Sequence, residues 1–92
     1  MYDAKLDPNW HVDIEFGEDE THTRATVRAD FGTGETMITR GDAYRHPKDA
    51  RQPMVGEEIA AARGLIALGT ALLETASMQI EQSTHHPVHL YR

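Results

Sequence analysis

The histidines near the C-terminal end of the chain are the first residues whose types and spacing suggest chemistry. His85, His86 and His89 lie close together, and the spacing from His85 to His89 suits two metal ligands on one face of a helix. Pro87 lies between them and ends such a helix. A zinc or nickel site at these histidines is one alternative, but it needs further ligands from elsewhere, and we predict no bound metal.

The sequence offers no group suited to nucleophilic catalysis. Cysteine is absent, which excludes thiolate nucleophiles, disulfides and cysteine metal sites. No serine stands in a G-x-S-x-G context. The run from Glu18 to Glu20 lacks the alternating ligands of a calcium loop and is interpreted as a solvated turn. We therefore predict a protein that is not an enzyme, with no catalytic residue, no cofactor and no small-molecule substrate.

Basic and aromatic side chains form the second candidate set. Seven of them fall on the predicted outer side of a sheet or in the loop after it: Arg24, Arg28, Arg40, Tyr44, Arg45, Lys48 and Arg51. Guanidinium groups and an exposed tyrosine suit contacts with phosphates and bases. Four carboxylates share this predicted side: Asp13, Glu15, Asp30 and Asp42. Cross-strand ion pairs are therefore the alternative, and the net charge of −6 argues against non-specific nucleic-acid binding.

Three segments with alternating apolar and polar residues must position these side chains. Residues 10–16 and 22–31 have the period of half-buried strands, and the glycine-containing turn 32–34 predicts a third strand that begins near Glu35. Gly41 inside it indicates a bulge or a close backbone approach. The first two strands are predicted to form an antiparallel hairpin. Their register is fixed if the apolar faces of the two strands must coincide. This register predicts three facing pairs: Val12 with Val27, Ile14 with Ala25, and Glu15 with Arg24.

The period changes to that of a long helix after residue 54. Large residues recur every seven positions with small ones between them: Ile59, Ala62, Ile66, Gly69, Leu73, Ala76 and Ile80. Glu57 and Glu58 are predicted in the first turn, where the helix dipole favours carboxylates. Gly64 and Gly69 each cost about 1 kcal/mol in a helix interior, which indicates that another backbone approaches closely at both positions.

The predicted organisation is one α+β domain covering residues 1–92. It consists of a loose lead-in (1–9), a three-stranded antiparallel sheet (10–46), a connection (47–54), one long helix (55–83) and a C-terminal tail (84–92). Neither a signal peptide nor a run of about 18 apolar residues is recognised, so we predict a cytoplasmic protein without a membrane partner.

The predicted helix is longer than the sheet that should cover it. At 1.5 Å per residue it spans about 40 Å, whereas strands of seven to ten residues span about 25–33 Å. The overhang carries apolar side chains, which predicts a homodimer. Four residues are assigned to its interface, and the tail at 88–91 is expected to pack on the partner: Ile66, Leu73, Ala76 and Ile80. A kink near Gly69 that folds the helix back is the alternative.

Several short segments in this order resemble a small actinobacterial family of unknown function. The segments that carry the resemblance are Trp10-His11-Val12-Asp13-Ile14, Thr23-Arg24-Ala25, Gly41-x-Ala43, Pro47-x-Asp49, Val55-Gly56-Glu57-Glu58-Ile59-Ala60, Ala62-Arg63 and Ile80-Glu81-x-x-Thr84-His85-x-Pro87. The resemblance covers about residues 10–90. It implies a fold like that of double-stranded-RNA-binding domains, dimers, and relatives induced in hypoxia and dormancy whose shape is similar to that of ribosome hibernation factors.

The resemblance carries no catalytic residue over to this chain, and fold alone does not establish function. Double-stranded-RNA-binding domains place lysines at the start of the helix after the sheet, whereas this sequence has Glu57 and Glu58 there. Three hypotheses follow. The first is a homodimeric, non-enzymatic stress protein that binds the ribosome or its RNA through the seven basic and aromatic residues. The second is a protein–protein adaptor without a nucleic-acid partner, and the third is the histidine metal site.

Overall fold

The fold is a three-stranded antiparallel sheet followed by one long helix. The structure, a computed structural model, describes residues 9–90. The elements in chain order are β1 (His11–Glu18), β2 (His22–Asp30), β3 (Thr36–Tyr44) and α1 (Pro53–Thr84). The sheet order is β1-β2-β3, which confirms the predicted α+β architecture. The expected loose lead-in lies, apart from Asn9, outside the described residues, as does Tyr91 of the tail.

The central strand supplies most of the core. Ala25, Val27 and Ala29 are fully buried beneath the helix, and the residues between them point to the opposite face. We call the face under the helix the inner face and the opposite one the outer face. The alternation of the sequence predicted both faces correctly, because the side-chain period of a strand is two.

The register between β1 and β2 differs from the predicted one by two residues. Ile14 lies opposite Val27, and Glu15 lies opposite Thr26, so the predicted pair of Glu15 with Arg24 is wrong. Matching the apolar faces fixes the register only in steps of two. The turn decides among these registers: the Asp19 carboxylate accepts hydrogen bonds from the backbone N–H groups of Thr21 (2.9 Å) and His22 (2.8 Å). It holds a turn at residues 19–21, shorter than the segment 17–21 that the predicted strands leave between them.

The turn between β2 and β3 follows the glycine signal. Gly32 and Gly34 have φ values of 76° and 90°, a region that glycine enters without steric cost. Asp30 accepts a hydrogen bond from the Gly32 N–H group at 2.9 Å. The chain then returns antiparallel, with Asp30 opposite Thr36.

The helix begins two residues earlier than predicted. Pro53 lies in its first turn, where the missing N–H group of proline has no partner to lose. Glu57 and Glu58 are therefore not first-turn residues, and the first turn has no acidic side chain. The prediction that they interact with the helix dipole is wrong for this reason. The helix is continuous over 32 residues, so the alternative in which it folds back near Gly69 is also wrong.

A face of small residues packs the helix on the sheet. Ala60, Gly64 and Leu68 are its buried residues. The predicted close approach at Gly41 is confirmed, since a Cβ atom there would collide with the Ala60 carbonyl and the Gly64 N–H group. The Thr39 hydroxyl donates a hydrogen bond to the Gly64 carbonyl at 2.8 Å, which fixes the helix over β3. Gly64 thus has the packing role expected of it.

The seven-residue pattern of large side chains does not face the sheet. Ile59, Ile66 and Ile80 are 39%, 54% and 39% exposed. At 100° per residue they lie on the side of the helix away from Ala60 and Gly64. Gly69 belongs to this exposed side, and a Cβ atom there would meet nothing within 4 Å. The predicted close approach at Gly69 is therefore not made within residues 9–90.

The C-terminal half of the helix extends beyond the sheet, as its length predicts. The last buried helix residue is Leu68, and Leu72 packs at the margin of the core. The tail turns back along its own helix, because His85 adopts a left-handed conformation and the Val88 N–H group donates to the Glu81 carboxylate at 3.1 Å. Up to residue 90 the tail therefore contacts its own helix, and its expected packing on a partner subunit stays a prediction.

The helix is also long and apolar enough to cross a membrane, since an 18-residue window in it has a mean hydropathy of 1.4. The sequence-based exclusion of such a segment was too strong. The helix is, however, anchored to the inner face through Ala60, Gly64 and Leu68, which is the packing expected of an α+β core.

Candidate functional site

Asp42 is the centre of a polar cluster on the outer face. Its carboxylate accepts hydrogen bonds from His22 Nε2 at 2.7 Å and from Arg24 Nε at 2.8 Å. The register explains the cluster, because Arg24 of β2 lies directly opposite Asp42 of β3. The hydrogen bond from Arg24, followed by that from His22, lowers the pKa of the Asp42 carboxyl below its ordinary value. The lowered pKa favours the ionised carboxylate, which forms an ion pair with the Arg24 guanidinium.

An aromatic pair lies beside this cluster. The rings of His22 and Tyr44 are stacked, with centroids 4.5 Å apart and planes inclined by 5°. Tyr44 is also one of the most exposed large side chains among residues 9–90. The stack presents a flat aromatic surface at the end of the sheet, which is suited to stacking against a planar group.

Arg28 and Arg40, the other two arginines of the outer face, have no carboxylate within ion-pair distance among residues 9–90. Among residues 9–90 the ion pairs converge on Asp42. Arg28 is nevertheless flanked by Asp13 at the facing position of β1, and Arg40 faces Thr26. The outer face therefore mixes both signs of charge. The predicted lattice of cross-strand ion pairs reduces to one cluster around Asp42.

Arg45 has a structural role that differs from the predicted contact role. Its guanidinium donates hydrogen bonds to the carbonyl oxygens of His46, Pro47 and Asp49 in the connection, and to that of Glu20 in the β1–β2 turn. One side chain thus ties the two loops together at the same end of the sheet. Lys48 and Arg51 lie in this connection and are exposed.

A cleft of about 210 Å³ lies between these two loops and the start of the helix. His22 and Tyr44 line it from the sheet, and Arg51 lines it from the connection. At its margin, burial and the neighbouring Glu18 carboxylate raise the pKa of the Glu57 carboxyl. The cleft therefore combines carboxylates with a single arginine not engaged by the backbone, and it lacks the convergent donors of an anion site.

The histidines at the helix end are not grouped with further ligands in the part of the chain that the structure describes. His85 caps the helix with its backbone, donating its N–H group to the Glu81 carbonyl at 2.7 Å. Over residues 9–90, no three side chains of histidine, cysteine, aspartate or glutamate lie close enough together to hold a metal ion. The alternative of a zinc or nickel site at His85, His86 and His89 has no supporting geometry.

The predicted interface residues fall on the exposed side of the helix. We call the set with large and small residues in alternation the seam: Ile59, Ala62, Ile66, Gly69, Leu73, Ala76 and Ile80. Each seam residue is exposed or half-buried. Leu73 also lines a shallow groove with Val88 and Leu90 of the folded-back tail. All four residues assigned to a dimer interface belong to the seam.

Sequence reasoning missed the roles of Asp19 and Asp42. The sequence places Asp19 in a solvated acidic turn. Aspartate at the head of a turn commonly accepts hydrogen bonds from backbone N–H groups, so its position is a signal for this role. Asp42 was counted as one carboxylate among four. Its position opposite Arg24 depends on the register between β2 and β3. That register follows from the glycine turn only when the number of residues in the turn is known.

Comparisons with known proteins give the relationships of this chain. The family model described as Rv2632c-like matches residues 8–89. The uncharacterized protein MT1780 of Mycobacterium tuberculosis is 37% identical over 82 residues, which cover 89% of this chain and 86% of that protein. The uncharacterized protein Rv2632c of Mycobacterium tuberculosis is 36% identical over 77 residues, covering 84% of this chain and 82% of that protein.

A solved structure shares the fold. The crystal structure of Rv2632c superposes with a TM-score of 0.78 and 32% sequence identity, covering 92% of this chain and 100% of that chain. The names of these relatives assign no activity. The sequence match and the shared fold agree with the resemblance found in the sequence, and the chain belongs to the Rv2632c-like family.

Proposed function

We propose that this chain is a non-enzymatic, homodimeric protein–protein adaptor whose subunits associate through the seam of α1. The observation that carries the proposal is the exposure of a regular apolar surface on the side of the helix opposite the sheet, where Ile66 is 54% exposed. A helix with apolar residues on two faces has one face for its own core and another for a partner.

The spacing of the seam is that of helices that pack side by side. Its large residues, represented by Ile59 and Ile66, are separated by seven positions, and a small residue such as Ala62 follows each after three. Alternating steps of three and four residues are the a and d positions of a coiled coil. An antiparallel arrangement places each large residue against a small one and fills the space evenly.

Gly69 supports this assignment independently. Glycine in a helix interior costs about 1 kcal/mol relative to alanine. Within residues 9–90 no contact requires it, since an added Cβ atom would meet nothing within 4 Å. A second helix that crosses closely at Gly69 would need this position to have no Cβ atom. The contact between helix and sheet needs the same at Gly41 and Gly64, where an added Cβ atom would collide with neighbouring atoms.

The accessible surface also favours association. The chain exposes 7251 Å², whereas a folded monomer of 10.3 kDa is expected to expose about 5,400 Å². A stable dimer buries about 800 Å² on each partner. An interface of that size on each subunit would bring the exposed area closer to this expectation.

The dimer is tested by placing a charge in the seam. We expect Ile66→Glu to convert the dimer into a monomer, because an unpaired carboxylate in an apolar interface is costly to desolvate. Sedimentation equilibrium measures the mass, and circular dichroism verifies that the helix remains folded. Ile38→Glu is the matched control, because Ile38 is also an isoleucine, 48% exposed, but lies on the sheet.

Two outcomes would contradict the proposal. A wild-type protein that sediments as a monomer at millimolar concentration would exclude the homodimer. Dissociation by Ile38→Glu with no effect of Ile66→Glu would move the interface to the outer face of the sheet.

Binding to ribosomal RNA is the second candidate, and it follows from the family resemblance given in the sequence analysis, which implies a role in stress. The outer face gives it a specific observation: the stacked His22 and Tyr44 rings lie on the same face as Arg28 and Arg40, which form no ion pair within residues 9–90. Stacking platforms with adjacent arginines suit unpaired bases. The mixture of charges around Arg28, and the engagement of Arg24 by Asp42, make us prefer the adaptor.

Sedimentation with purified ribosomes through a sucrose cushion separates the two candidates. If RNA is bound, the protein pellets with ribosomes at about 50 mM salt and is released at about 200 mM, because phosphate contacts release counterions. The double variant Arg28→Ala/Arg40→Ala then stays in the supernatant. Lys5→Ala/Arg92→Ala, which removes two positive charges outside the seven contact residues, serves as the charge-matched control. Wild-type protein in the supernatant at both salt concentrations leaves the adaptor as the function to pursue.

A further inference from the structure

Strand β1 presents an apolar surface that the helix does not cover. The helix lies over β2 and β3. Only Ile14 of β1 packs against the core from its inner face. Its neighbours on the same face, Val12 and Phe16, are 45% and 41% exposed, and Trp10 just before the strand is 56% exposed. Three large apolar side chains thus line one open strip beside the helix.

The backbone edge of β1 is open as well. β1 is a terminal strand of the sheet and pairs only with β2 among the described residues. The opposite edge of the sheet differs, because Arg63 of the helix donates a hydrogen bond to the Asp42 carbonyl of β3 at 2.7 Å. Unpaired N–H and C=O groups on an exposed strand can pair with another extended segment.

Carboxylates surround the open edge. Asp13 and Glu15 lie on the outer face of β1. Asp13 faces Arg28 of β2 and Glu15 faces Thr26, and neither carboxylate has a basic group within ion-pair distance among residues 9–90. At the end of the strand, burial and then the neighbouring Glu18 carboxylate raise the pKa of the Glu57 carboxyl. A lysine or arginine side chain placed alongside β1 would reduce the repulsion between these carboxylates.

The same charges disfavour a second copy of β1 as the occupant. An antiparallel pairing centred on Ile14 would place Asp13 of one copy opposite Glu15 of the other, twice. A parallel pairing in register would place each carboxylate beside its own equivalent. Like charges at facing positions destabilise strand pairs, so a segment of opposite charge suits this edge better than a second copy of β1.

We propose that β1 binds an extended segment of a partner protein, in which apolar residues alternate with lysine or arginine, by strand addition at its open edge. This inference rests on the proposed adaptor function and names its docking site and partner chemistry. Main-chain hydrogen bonds to β1 supply the affinity, and the alternating side chains supply the specificity. Residues of the segment opposite Val12, Ile14 and Phe16 are apolar, and those opposite Asp13 and Glu15 are basic.

The single tryptophan makes the site directly observable. Trp10 is the only tryptophan in the chain and lies at the start of the strip. The probe is a synthetic peptide of about seven residues, a typical strand length, in which lysine and valine alternate. We expect it to shift Trp10 emission to shorter wavelength in a saturable titration, and to slow amide exchange along β1. A peptide of the same composition with its lysines and valines in separate blocks, and an alternating glutamate–valine peptide, should not bind.

Two variants test the apolar and the charged halves of the site. Val12→Arg should weaken binding of the alternating peptide at least about tenfold, equivalent to about 1.4 kcal/mol. Ile38→Arg, a substitution of an equally exposed aliphatic residue on another strand, should leave it unchanged. Asp13→Asn/Glu15→Gln should weaken binding similarly, whereas Glu35→Gln/Glu58→Gln, which removes two other exposed carboxylates, should not.

The outcomes separate this inference from the proposed function. Equal binding of the alternating and block peptides, or binding unaffected by Val12→Arg, would overturn strand addition. Protection of β1 amides that rises with protein concentration in the absence of peptide would identify a second copy as the occupant and overturn it too. A Val12→Arg variant that sediments as a dimer but does not bind the peptide would support both the homodimer and strand addition. A wild-type protein that is a dimer but does not bind the peptide would overturn strand addition and leave the homodimer standing.

Discussion

Asp42 shows how one carboxylate can decide what a surface does. By accepting hydrogen bonds from Arg24 and His22, it neutralises an arginine that the sequence suggested for phosphate contacts. The same hydrogen bonds link β2 to β3 on the face opposite the helix. Exposed ion pairs contribute little to stability individually, but this one sets the charge pattern of the outer face.

The pH dependence of stability tests the role of Asp42. Its pKa in the folded protein is lowered below the ordinary value of 3.8, so the unfolded chain binds the proton more readily. The stabilisation is therefore present above the unfolded pKa and is lost as the pH falls through the folded pKa. We expect Asp42→Asn to lower the free energy of unfolding at pH 7 and to differ little from the wild type in strong acid, as measured by urea denaturation across this range.

Asp13→Asn is the control for this experiment. It removes a carboxylate that accepts no side-chain or backbone hydrogen bond within the described residues, so its effect at pH 7 should be smaller. A difference between Asp42→Asn and the wild type that stays constant down to strong acid would show that the amide acts by disturbing packing.

At the scale of elements, the sequence predicts the periodicities well and the contacts between elements poorly. The alternation of β2 identifies the buried alanines and Val27, and Gly41 correctly indicates a close backbone approach. The β1–β2 register is wrong by two residues because apolar matching repeats every second residue, and the Asp19 loop makes the final choice.

The helix shows the second limit of prediction from sequence. The seven-residue pattern marks the exposed face with the larger side chains, and of the buried helix residues Ala60, Gly64 and Leu68 the sequence singled out Gly64 alone. The structure packs Ala60 and Gly64 against the sheet because the facing surface is built from small residues such as Gly41 and Ala43, which allow the backbones to come close. Which face of the helix packs on the sheet depends on the size of the sheet residues that it meets. The helix sequence alone does not contain that information.

At the scale of the whole molecule, a small core explains why surfaces remain for partners. Val27 is the largest fully buried side chain, and most other buried residues are alanines. The radius of gyration is 17.4 Å, against about 12 Å for a compact domain of this length. In the proposed dimer a second subunit would cover the seam and stabilise a molecule of this shape, and in the proposed adaptor the strip along β1 would be left for another protein.

The substitution Gly69→Ala separates the stability of the subunit from that of the dimer. In a monomeric Ile66→Glu background it should raise the free energy of unfolding by about 1 kcal/mol, because alanine is the better helix former and the space around Gly69 is open. In the wild-type sequence the same methyl group should hold the two helices apart and weaken dimerisation. Urea denaturation measures the first effect, and sedimentation equilibrium measures the second. If Gly69→Ala instead strengthened the dimer, the helices would not cross at Gly69, and the glycine would have no packing role in either state.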